Sequence, residues 1–242
     1  MLYNKIMLCN LKTITLYKIK LKNKMSNVYN NYNYLLKFII VGDSSVGKSN
    51  LLMKFAYNKF TDDYQATVGV EFAAKNIKIE QEIFRVQVWD TAGQENFRSI
   101  TRAYYKNSVC AMIVYDITNK KSFENVQRWI EDIRNQSPKT VLLVLVGNKT
   151  DLPDKRVITF DEGNEFAIKN GILFAETSAK TGEGVQEVFR KSVEDIAKKM
   201  SENFYDLNSE ICGIKKGNNN NGEKDNSIDL ENKKNKEEKK CC

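Results

Sequence analysis

Apolar residues follow two different periods between residues 35 and 200. Short apolar runs, typical of buried strands, occur at 35–41, 70–80, 83–90, 109–115, 141–146 and 172–175. Helical spacing of three and four residues is found at 50–55, 96–106, 122–135, 161–169 and 185–200. Because strands and helices alternate, we predict an α/β fold with a six-stranded, mainly parallel sheet, one antiparallel edge strand and helices on both faces.

Both ends of the chain lack this periodicity. We predict an N-terminal extension at 1–33, a globular domain at 34–200 and a disordered tail at 201–242, where asparagine and mixed charge replace apolar residues. Residues 1–24 alternate apolar residues with lysine, and Met25 follows them. We hypothesise that translation begins at Met25 and that residues 1–24 are absent from the mature protein.

Composition narrows the classes of function. The formal net charge is +7, but six lysines and no acidic residue lie in 1–34, so the globular part offers no basic face for nucleic acid. The chain has no histidine, which excludes Ser-His-Asp and Cys-His catalysis and argues against zinc. Its five cysteines show no disulfide spacing, which favours a reducing, cytosolic environment. No apolar run is long enough to predict a membrane-spanning helix.

A glycine-rich loop joins the first predicted strand to the first predicted helix. Residues 42–49 read G-D-S-S-V-G-K-S and match the pattern G-x-x-x-x-G-K-[ST]. Such a loop aims backbone N–H groups and a helix N-terminus at a chain of phosphates. Lys48 is then placed to neutralise the outer phosphates, and the hydroxyl of Ser49 to ligate Mg²⁺. The alternative, a turn with a solvated lysine, does not explain the strand and helix that flank the loop.

A second motif, D-x-x-G, ends the strand at 83–90. Asp90 would add a carboxylate to the Mg²⁺ shell, and the N–H of Gly93 would meet the terminal phosphate. Gln94 would orient an attacking water, which makes it the predicted catalytic residue. A turn with a capping aspartate is the rival interpretation of a D-x-x-G motif that stands alone.

Two further loops predict which base is bound. In N-K-x-D at 148–151, the carboxylate of Asp151 can accept two N–H bonds from guanine, and adenine has no such pair on that edge. The aliphatic stem of Lys149 can lie over the purine face. In T-S-A-K at 177–180, the N–H of Ala179 can meet the guanine oxygen and Lys180 supplies a second stem. Each loop alone consists of common residues, but the four loops follow strand ends and should form one site.

Together these motifs resemble the Ras superfamily of small GTPases. The segments V-G-V-E-F (68–72), R-V-Q-V-W (85–89), F-R-S-I-T-R-A-Y-Y-K (97–106) and I-V-Y-D-I-T (113–118) are similar to the Rab family in particular. The resemblance covers about residues 33–200. It implies a P-loop small GTPase fold and a GTP/GDP switch that recruits effectors in the GTP form and regulates vesicle-mediated transport.

The resemblance also completes the set of site residues. It implies that Thr67 ligates Mg²⁺ and the γ-phosphate, that Phe60 packs against guanine, and that Gln94 positions the hydrolytic water. Residues predicted to contact the nucleotide are Gly42, Ser44, Ser45, Val46, Gly47, Lys48, Ser49, Asn50, Phe60, Thr67, Gly93, Asn148, Lys149, Asp151, Ser178, Ala179 and Lys180. Residues predicted to ligate Mg²⁺ are Ser49, Thr67 and Asp90.

Phe72, Trp89 and Tyr104 match the aromatic triad through which Rab proteins contact effectors, although packing in the core explains any one of them equally well. Trp129 is assigned to the core. The family implies an exchange factor, a GTPase-activating protein (GAP), a GDP-dissociation inhibitor and an escort protein as further partners.

The chain ends in Cys241 and Cys242, behind an arm that contains several lysines. This ending is similar to a double geranylgeranylation signal, with a chance pair of cysteines as the alternative. Two lipid chains give stable membrane anchoring. We therefore expect the cytoplasmic face of an endomembrane, secretory or endosomal, together with a soluble cytosolic pool.

Slow hydrolysis is expected because Ser44 and Ser45 stand where some relatives carry glycine, and their side chains crowd the γ-phosphate. Two other classes of function remain as alternatives. One is a scaffold that holds GTP with negligible turnover, which the presence of Gln94 disfavours. The other is a P-loop phosphotransferase acting on a small molecule, which the complete guanine motifs disfavour.

Overall fold

The computed structural model describes residues 32–62, 70–91 and 104–217. The strands are β1 (Tyr34–Val41), β2 (Val70–Ile79), β3 (Glu82–Thr91), β4 (Cys110–Asp116), β5 (Leu142–Asn148), β6 (Leu173–Thr177) and β7 (Ile214–Lys216). The α-helices are α1 (Lys48–Tyr57), α2 (Lys120–Glu124), α3 (Val126–Gln136), α4 (Phe160–Asn170) and α5 (Val185–Ser201), with short 3₁₀ turns at Pro153–Lys155 and Glu210–Cys212. None of the helices in these ranges is both long and apolar enough to cross a bilayer.

The sheet has the strand order β2-β3-β1-β4-β5-β6, and β7 also pairs with β1. Strands β3, β1, β4, β5 and β6 run parallel, and β2 is antiparallel to β3 at the edge. The predicted α/β architecture, a mainly parallel sheet with an antiparallel edge strand, is confirmed, and β7 is a seventh strand, antiparallel to β1, that was not predicted. The irregular helix predicted at 96–106 lies largely outside the described residues.

Side chains of β1 alternate between the two faces of the sheet, as strand geometry requires. Leu36, Phe38 and Ile40 lie in an apolar cluster with residues of α1 and α5. Ile39 and Val41 lie in a second cluster with residues of α3 and α4. Burial on both faces holds β1 in the centre of the sheet, so the loop that follows it starts from a rigid position.

The folded part of the chain extends further than the sequence predicted. The sequence predicts a disordered tail from residue 201 onward, but residues 202–217 fold back onto the sheet. Ile214 pairs with Leu36, and the N–H of Gly217 donates a 2.8 Å hydrogen bond to the carbonyl oxygen of Asn33. The predicted boundary was wrong because so short a strand gives no periodic signal and is stabilised by tertiary packing of Tyr205, Cys212 and Ile214 in the first apolar cluster.

Candidate functional site

The loops of the candidate site begin at the carboxyl ends of neighbouring parallel strands. In the sheet register, Ile40 lies beside Asp90, Asp116 beside Asn148, and Asn148 beside Thr177. The four loops predicted to bind nucleotide therefore start along one edge of the sheet. This is the edge at which open α/β sheets bind their ligands.

Two glycines allow the loop after β1 to adopt its path. Gly42 has φ +142°, and a Cβ at this position would lie 2.2 Å from the carbonyl oxygen of Val114. Gly47 has φ +98°, and a Cβ there would lie 2.4 Å from Nδ2 of Asn148. Both backbone conformation and close approach exclude a side chain, so the two glycines of the motif are required by the fold itself.

Helix α1 begins at Lys48, so the loop leads directly into the positive end of a helix. Lys48 is buried, and its Nζ donates a 2.7 Å hydrogen bond to the carbonyl oxygen of Asp43. The ammonium group therefore lies within the turn of the loop, as an anion-binding loop requires. Ser44 and Ser45 are exposed, and Ser45 has φ +66°.

A buried carboxylate lies beside the first turn of α1. The hydroxyl of Ser49 donates to Oδ2 of Asp90 at 2.5 Å. Asp90 is completely buried, and its Oδ1 has no hydrogen-bond partner among the described residues. Burial raises the pKa of Asp90 to about 6, and the positive charge of Lys48 partly opposes that rise. An oxygen pair with one unsatisfied buried atom fits a hard divalent cation such as Mg²⁺.

Asn148 links three of the loops. Its Nδ2 donates a 2.9 Å hydrogen bond to the carbonyl oxygen of Val46 in the phosphate loop. Its Oδ1 accepts from the N–H of Ala179 at 3.1 Å and from the hydroxyl of Thr177 at 3.2 Å. Asn148 is buried, so these bonds form away from competing water. The side chain therefore sets the distance between the predicted phosphate and base loops.

Lys149 is held between two partners. Its Nζ forms a 2.6 Å ion pair with Oδ2 of Asp116 and donates a 2.9 Å hydrogen bond to the carbonyl oxygen of Ser45. Its φ of +76° turns the backbone at the end of β5. Both contacts fix the ammonium group at the end of the aliphatic stem. Asp116 is not among the residues predicted from the sequence, although its position at the carboxyl end of β4, beside the other site loops, is a usable signal.

Asp151 and Ser178 meet across the other two loops. The hydroxyl of Ser178 donates to Oδ1 of Asp151 at 2.6 Å and accepts from the N–H of Thr181 at 3.0 Å. The hydroxyl therefore fixes the orientation of the carboxylate. Lys180, in the same turn, is exposed to solvent.

Comparisons with known proteins agree with this arrangement. The model of the Ras family matches residues 37–198. The chain is 53% identical over 173 residues to the Ras-related protein Rab-2B of Dictyostelium discoideum, an alignment that spans 72% of this chain and 86% of that protein. The chain belongs to the Ras family. Within that family it is a Rab small GTPase, which confirms the resemblance seen in the sequence.

Membership establishes the general activity. This Rab GTPase binds GTP and GDP and hydrolyses GTP, as a switch in vesicle trafficking at endomembranes that works with regulators and effectors.

Two further residues predicted to contact the nucleotide are Asn50, in the first turn of α1, and Phe60, which follows the helix. The side-chain amide of Asn50 donates to the carbonyl oxygen of Thr61 at 3.0 Å and accepts from the N–H of Thr61 at 3.3 Å. Asn50 therefore holds the segment that contains Phe60, whose side chain is half-buried. Several predicted site residues lie outside the described ranges, namely Thr67, Gly93, Gln94, Cys241 and Cys242.

The three aromatic residues predicted to contact effectors lie against one another. The ring centroids of Phe72 and Trp89 are 5.0 Å apart, and those of Trp89 and Tyr104 are 5.3 Å apart. All three side chains are half-buried rather than enclosed. They form a continuous aromatic strip that runs from β2 across β3 to the residues before β4.

One assignment of the sequence analysis was incomplete. Trp129, assigned to the core, is buried in the second apolar cluster, and its Nε1 also donates a 2.8 Å hydrogen bond to Oδ1 of Asp43. Asn125 donates to Oδ2 of the same carboxylate at 2.6 Å. Helical spacing predicts that Trp129 is buried but carries no information about the direction of its N–H, so the contact was not predictable.

Proposed function

We propose that this Rab GTPase binds its nucleotide in the site formed by residues 42–50, 90–94, 148–151 and 178–180, and that lipidation of its tail anchors it to a membrane. The observation that carries the proposal is the set of hydrogen bonds made by Asn148, which join the phosphate loop to the base loop. A pocket for a molecule with a phosphate chain at one end and a purine at the other needs this fixed spacing.

Base selection follows from the contact between Asp151 and Ser178. A carboxylate whose orientation is fixed accepts the paired N–H groups of guanine at little entropic cost. With adenine the same carboxylate would lose its water and gain no donor from the base, so only the hydrogen bond from Ser178 would remain, and this loss disfavours adenine. The ammonium group of Lys149 is fixed by Asp116 and Ser45, and its aliphatic stem supports one face of the purine.

The metal shell is proposed to consist of Ser49, Thr67 and Asp90. The Ser49–Asp90 pair supports this, because both side chains present oxygen atoms and one oxygen of Asp90 is buried without a partner. When bound, Mg²⁺ would neutralise charge on the β- and γ-phosphates. Lys48 supplies a further positive charge from within the phosphate loop.

Hydrolysis is proposed to use Gln94 to hold the attacking water, while Gly93 donates its N–H to the γ-phosphate. The side chains of Ser44 and Ser45 are exposed, and we propose that they leave less room around the terminal phosphate. We therefore propose slow intrinsic turnover. A group supplied by a GAP can raise such rates by about 10³ to 10⁵.

Effector binding is proposed for the strip of Phe72, Trp89 and Tyr104. Its aromatic rings contact one another and are accessible in part, which suits a hydrophobic contact with another protein. Trp89 immediately precedes Asp90 in β3. A shift of Asp90 on metal binding would therefore displace Trp89, and with it the aromatic strip.

Membrane attachment is proposed through Cys241 and Cys242. Two prenyl chains give stable anchoring where one gives only marginal binding. A Cys-Cys ending requires an escort protein, and a GDP-dissociation inhibitor would maintain the soluble cytosolic pool. We propose that the protein acts on the cytoplasmic face of a secretory or endosomal membrane.

The test is nucleotide release and single-turnover hydrolysis by the purified full chain, loaded in turn with GTP and ATP. We expect tight binding of GTP, slow hydrolysis that a Rab GAP accelerates, and no binding of ATP. Gln94→Leu should abolish the acceleration. GTP binding with no hydrolysis even with the GAP would favour the scaffold alternative, and binding of ATP would contradict the role of Asp151.

A matched pair of variants tests the base loop. Asp151→Asn should weaken GTP binding and improve binding of xanthosine triphosphate, because an amide N–H can donate to the exocyclic carbonyl oxygen that xanthine carries in place of guanine's amine. Asp154→Asn removes an exposed carboxylate from the neighbouring 3₁₀ turn and should leave both affinities unchanged. Equal effects of the two substitutions would contradict the proposed site.

A further inference from the structure

One residue of the phosphate loop is held from outside the loop. Both oxygens of the Asp43 carboxylate accept hydrogen bonds from the start of α3, Oδ1 from Nε1 of Trp129 at 2.8 Å and Oδ2 from Nδ2 of Asn125 at 2.6 Å. Asp43 is separated from these donors by 86 and 82 residues of sequence. Bonds to a charged acceptor are shorter and stronger than neutral ones.

The donors are fixed in place. Trp129 is 5% exposed and packs in the apolar cluster formed by α3, α4 and one face of the sheet. Asn125 lies at the junction where α2 ends and α3 begins, and its N–H donates to the carbonyl oxygen of Lys121. The carboxylate of Asp43 is therefore attached to a packed helix rather than to another mobile loop.

The backbone of Asp43 makes a separate contact, within the phosphate loop itself. Its carbonyl oxygen accepts the 2.7 Å hydrogen bond from Nζ of Lys48, and its neighbour Gly42 has φ +142°. A loop with a backbone conformation that few residues adopt loses much conformational entropy when it is ordered. Contacts that order the loop before the ligand binds lower that cost at the moment of binding.

We propose that Asp43 is a positioning residue, and that its bonds to Trp129 and Asn125 hold the phosphate loop in its nucleotide-binding shape and prolong the residence of GDP and GTP. The proposal rests on the nucleotide site described under Proposed function. Asp43 acts through the loop backbone and Lys48. Since the donors lie on α3, a change in the position of that helix would also change the rate of nucleotide release.

The experiment measures release of a fluorescent GDP analogue from the full chain in excess unlabelled GDP. Asp43→Ala removes both acceptors and should raise the release rate about tenfold, the change expected for loss of a charge-assisted hydrogen bond. Trp129→Phe keeps an aromatic ring but removes the N–H, and should raise the rate about threefold. Asp43→Asn should give a release rate between those of the wild type and Asp43→Ala, because its amide oxygen can still accept from Trp129 but carries no charge.

A double-mutant cycle separates this role from packing. If Trp129 acts through Asp43, then Trp129→Phe should not change the release rate further in a protein that already carries Asp43→Ala. If Trp129 acts through packing alone, the substitution should raise the rate by the same factor in both backgrounds, which would overturn the proposal. Thermal unfolding of every variant reports the packing effect independently.

A control variant lies on the same helix. Gln127 is exposed and donates to Glu131 within α3 at 3.1 Å, so Gln127→Ala removes a hydrogen bond that does not reach the loop. Its release rate should equal that of the wild type. If the wild type retains GDP but Asp43→Ala releases it no faster, only the role of Asp43 is wrong. If the wild type itself fails to retain guanine nucleotide, the proposed site and this inference are both overturned.

Discussion

The side-chain amide of Asn148 donates a 2.9 Å hydrogen bond to the carbonyl oxygen of Val46, across 102 residues of sequence. Since Val46 belongs to the phosphate loop and Asn148 to the base loop, this bond determines how far apart the two ends of a nucleotide can lie. The Cβ that Gly47 lacks would lie 2.4 Å from the same amide nitrogen. The contact therefore also explains why the second glycine of the motif cannot be replaced.

Asn148→Ala should release nucleotide faster and lower the free energy of unfolding by about 2 kcal/mol, because it leaves the buried partners of the amide unsatisfied. Asn170→Ala is the control, since Asn170 donates a single hydrogen bond to Phe166 at the end of α4. The measurements are release of a fluorescent GDP analogue and urea unfolding. Equal release rates in the two variants would contradict the linking role of Asn148.

Asp116→Asn should weaken the hold on Lys149 and accelerate nucleotide release by a few-fold. The substitution removes the charge from a 2.6 Å ion pair in which Asp116 is largely buried, so the loss is greater than for an exposed pair. Glu194→Gln removes the carboxylate of an exposed pair with Arg190 on α5 and should leave release unchanged. A release rate in Asp116→Asn that matches the control would show that Lys149 needs no such partner.

Gly213→Ala should destabilise the packing of residues 202–217 against the sheet. The loss of stability should exceed that caused by the same substitution at a glycine with positive φ and open space around it. Gly213 has φ +75°, and a Cβ there would lie 2.4 Å from the backbone nitrogen of Val109. Gly171 has φ +65° with no atom within 4 Å of its Cβ position, so Gly171→Ala costs only the backbone conformation, about 1 kcal/mol. We expect Gly213→Ala to cost at least about 2 kcal/mol in urea unfolding, with faster amide exchange in β7. Equal costs would show that β7 tolerates the displacement.

The stability of the protein should rise with pH above neutrality because of Lys37. Burial lowers the pKa of Lys37 to about 8, below the value of roughly 10.4 for an unfolded chain. The folded state therefore binds this proton less tightly than the unfolded state does. The resulting loss of stability is fully present below about pH 8 and disappears between about pH 8 and 10. The neutral amine can still donate to the carbonyl oxygen of Lys106, its 2.6 Å partner.

Lys37→Met removes the titrating group. The free energy of unfolding of the variant minus that of the wild type should therefore be largest near pH 7 and decrease towards pH 10. Lys59→Met, at an exposed position, is the control and should show no such change. Urea unfolding across this pH range gives the comparison. A difference that is independent of pH would mean that Lys37 titrates normally in the folded protein.

The sequence predicted the parts of the site that depend on short, continuous motifs. Gly42, Gly47 and Lys48 belong to one loop whose spacing reflects a local backbone path, and the structure shows the close approaches that require the glycines. The residue pairs that orient the site were not predictable in the same way. Asp116 with Lys149, and Asp43 with Trp129, are each brought together by strands and helices distant in sequence.

Periodicity and motif spacing are local properties of the chain. The order of strands and helices, the loops at the strand ends and membership of the Rab family could therefore be predicted from the sequence. Two features became visible only in the fold, namely the hydrogen bond from the indole of Trp129 to the phosphate loop and the return of residues 202–217 to β1. Both depend on which surfaces meet when the sheet and helices pack. Hydrogen-bond direction and the pairing of a three-residue strand are properties of that packing, and no pattern along the chain encodes them.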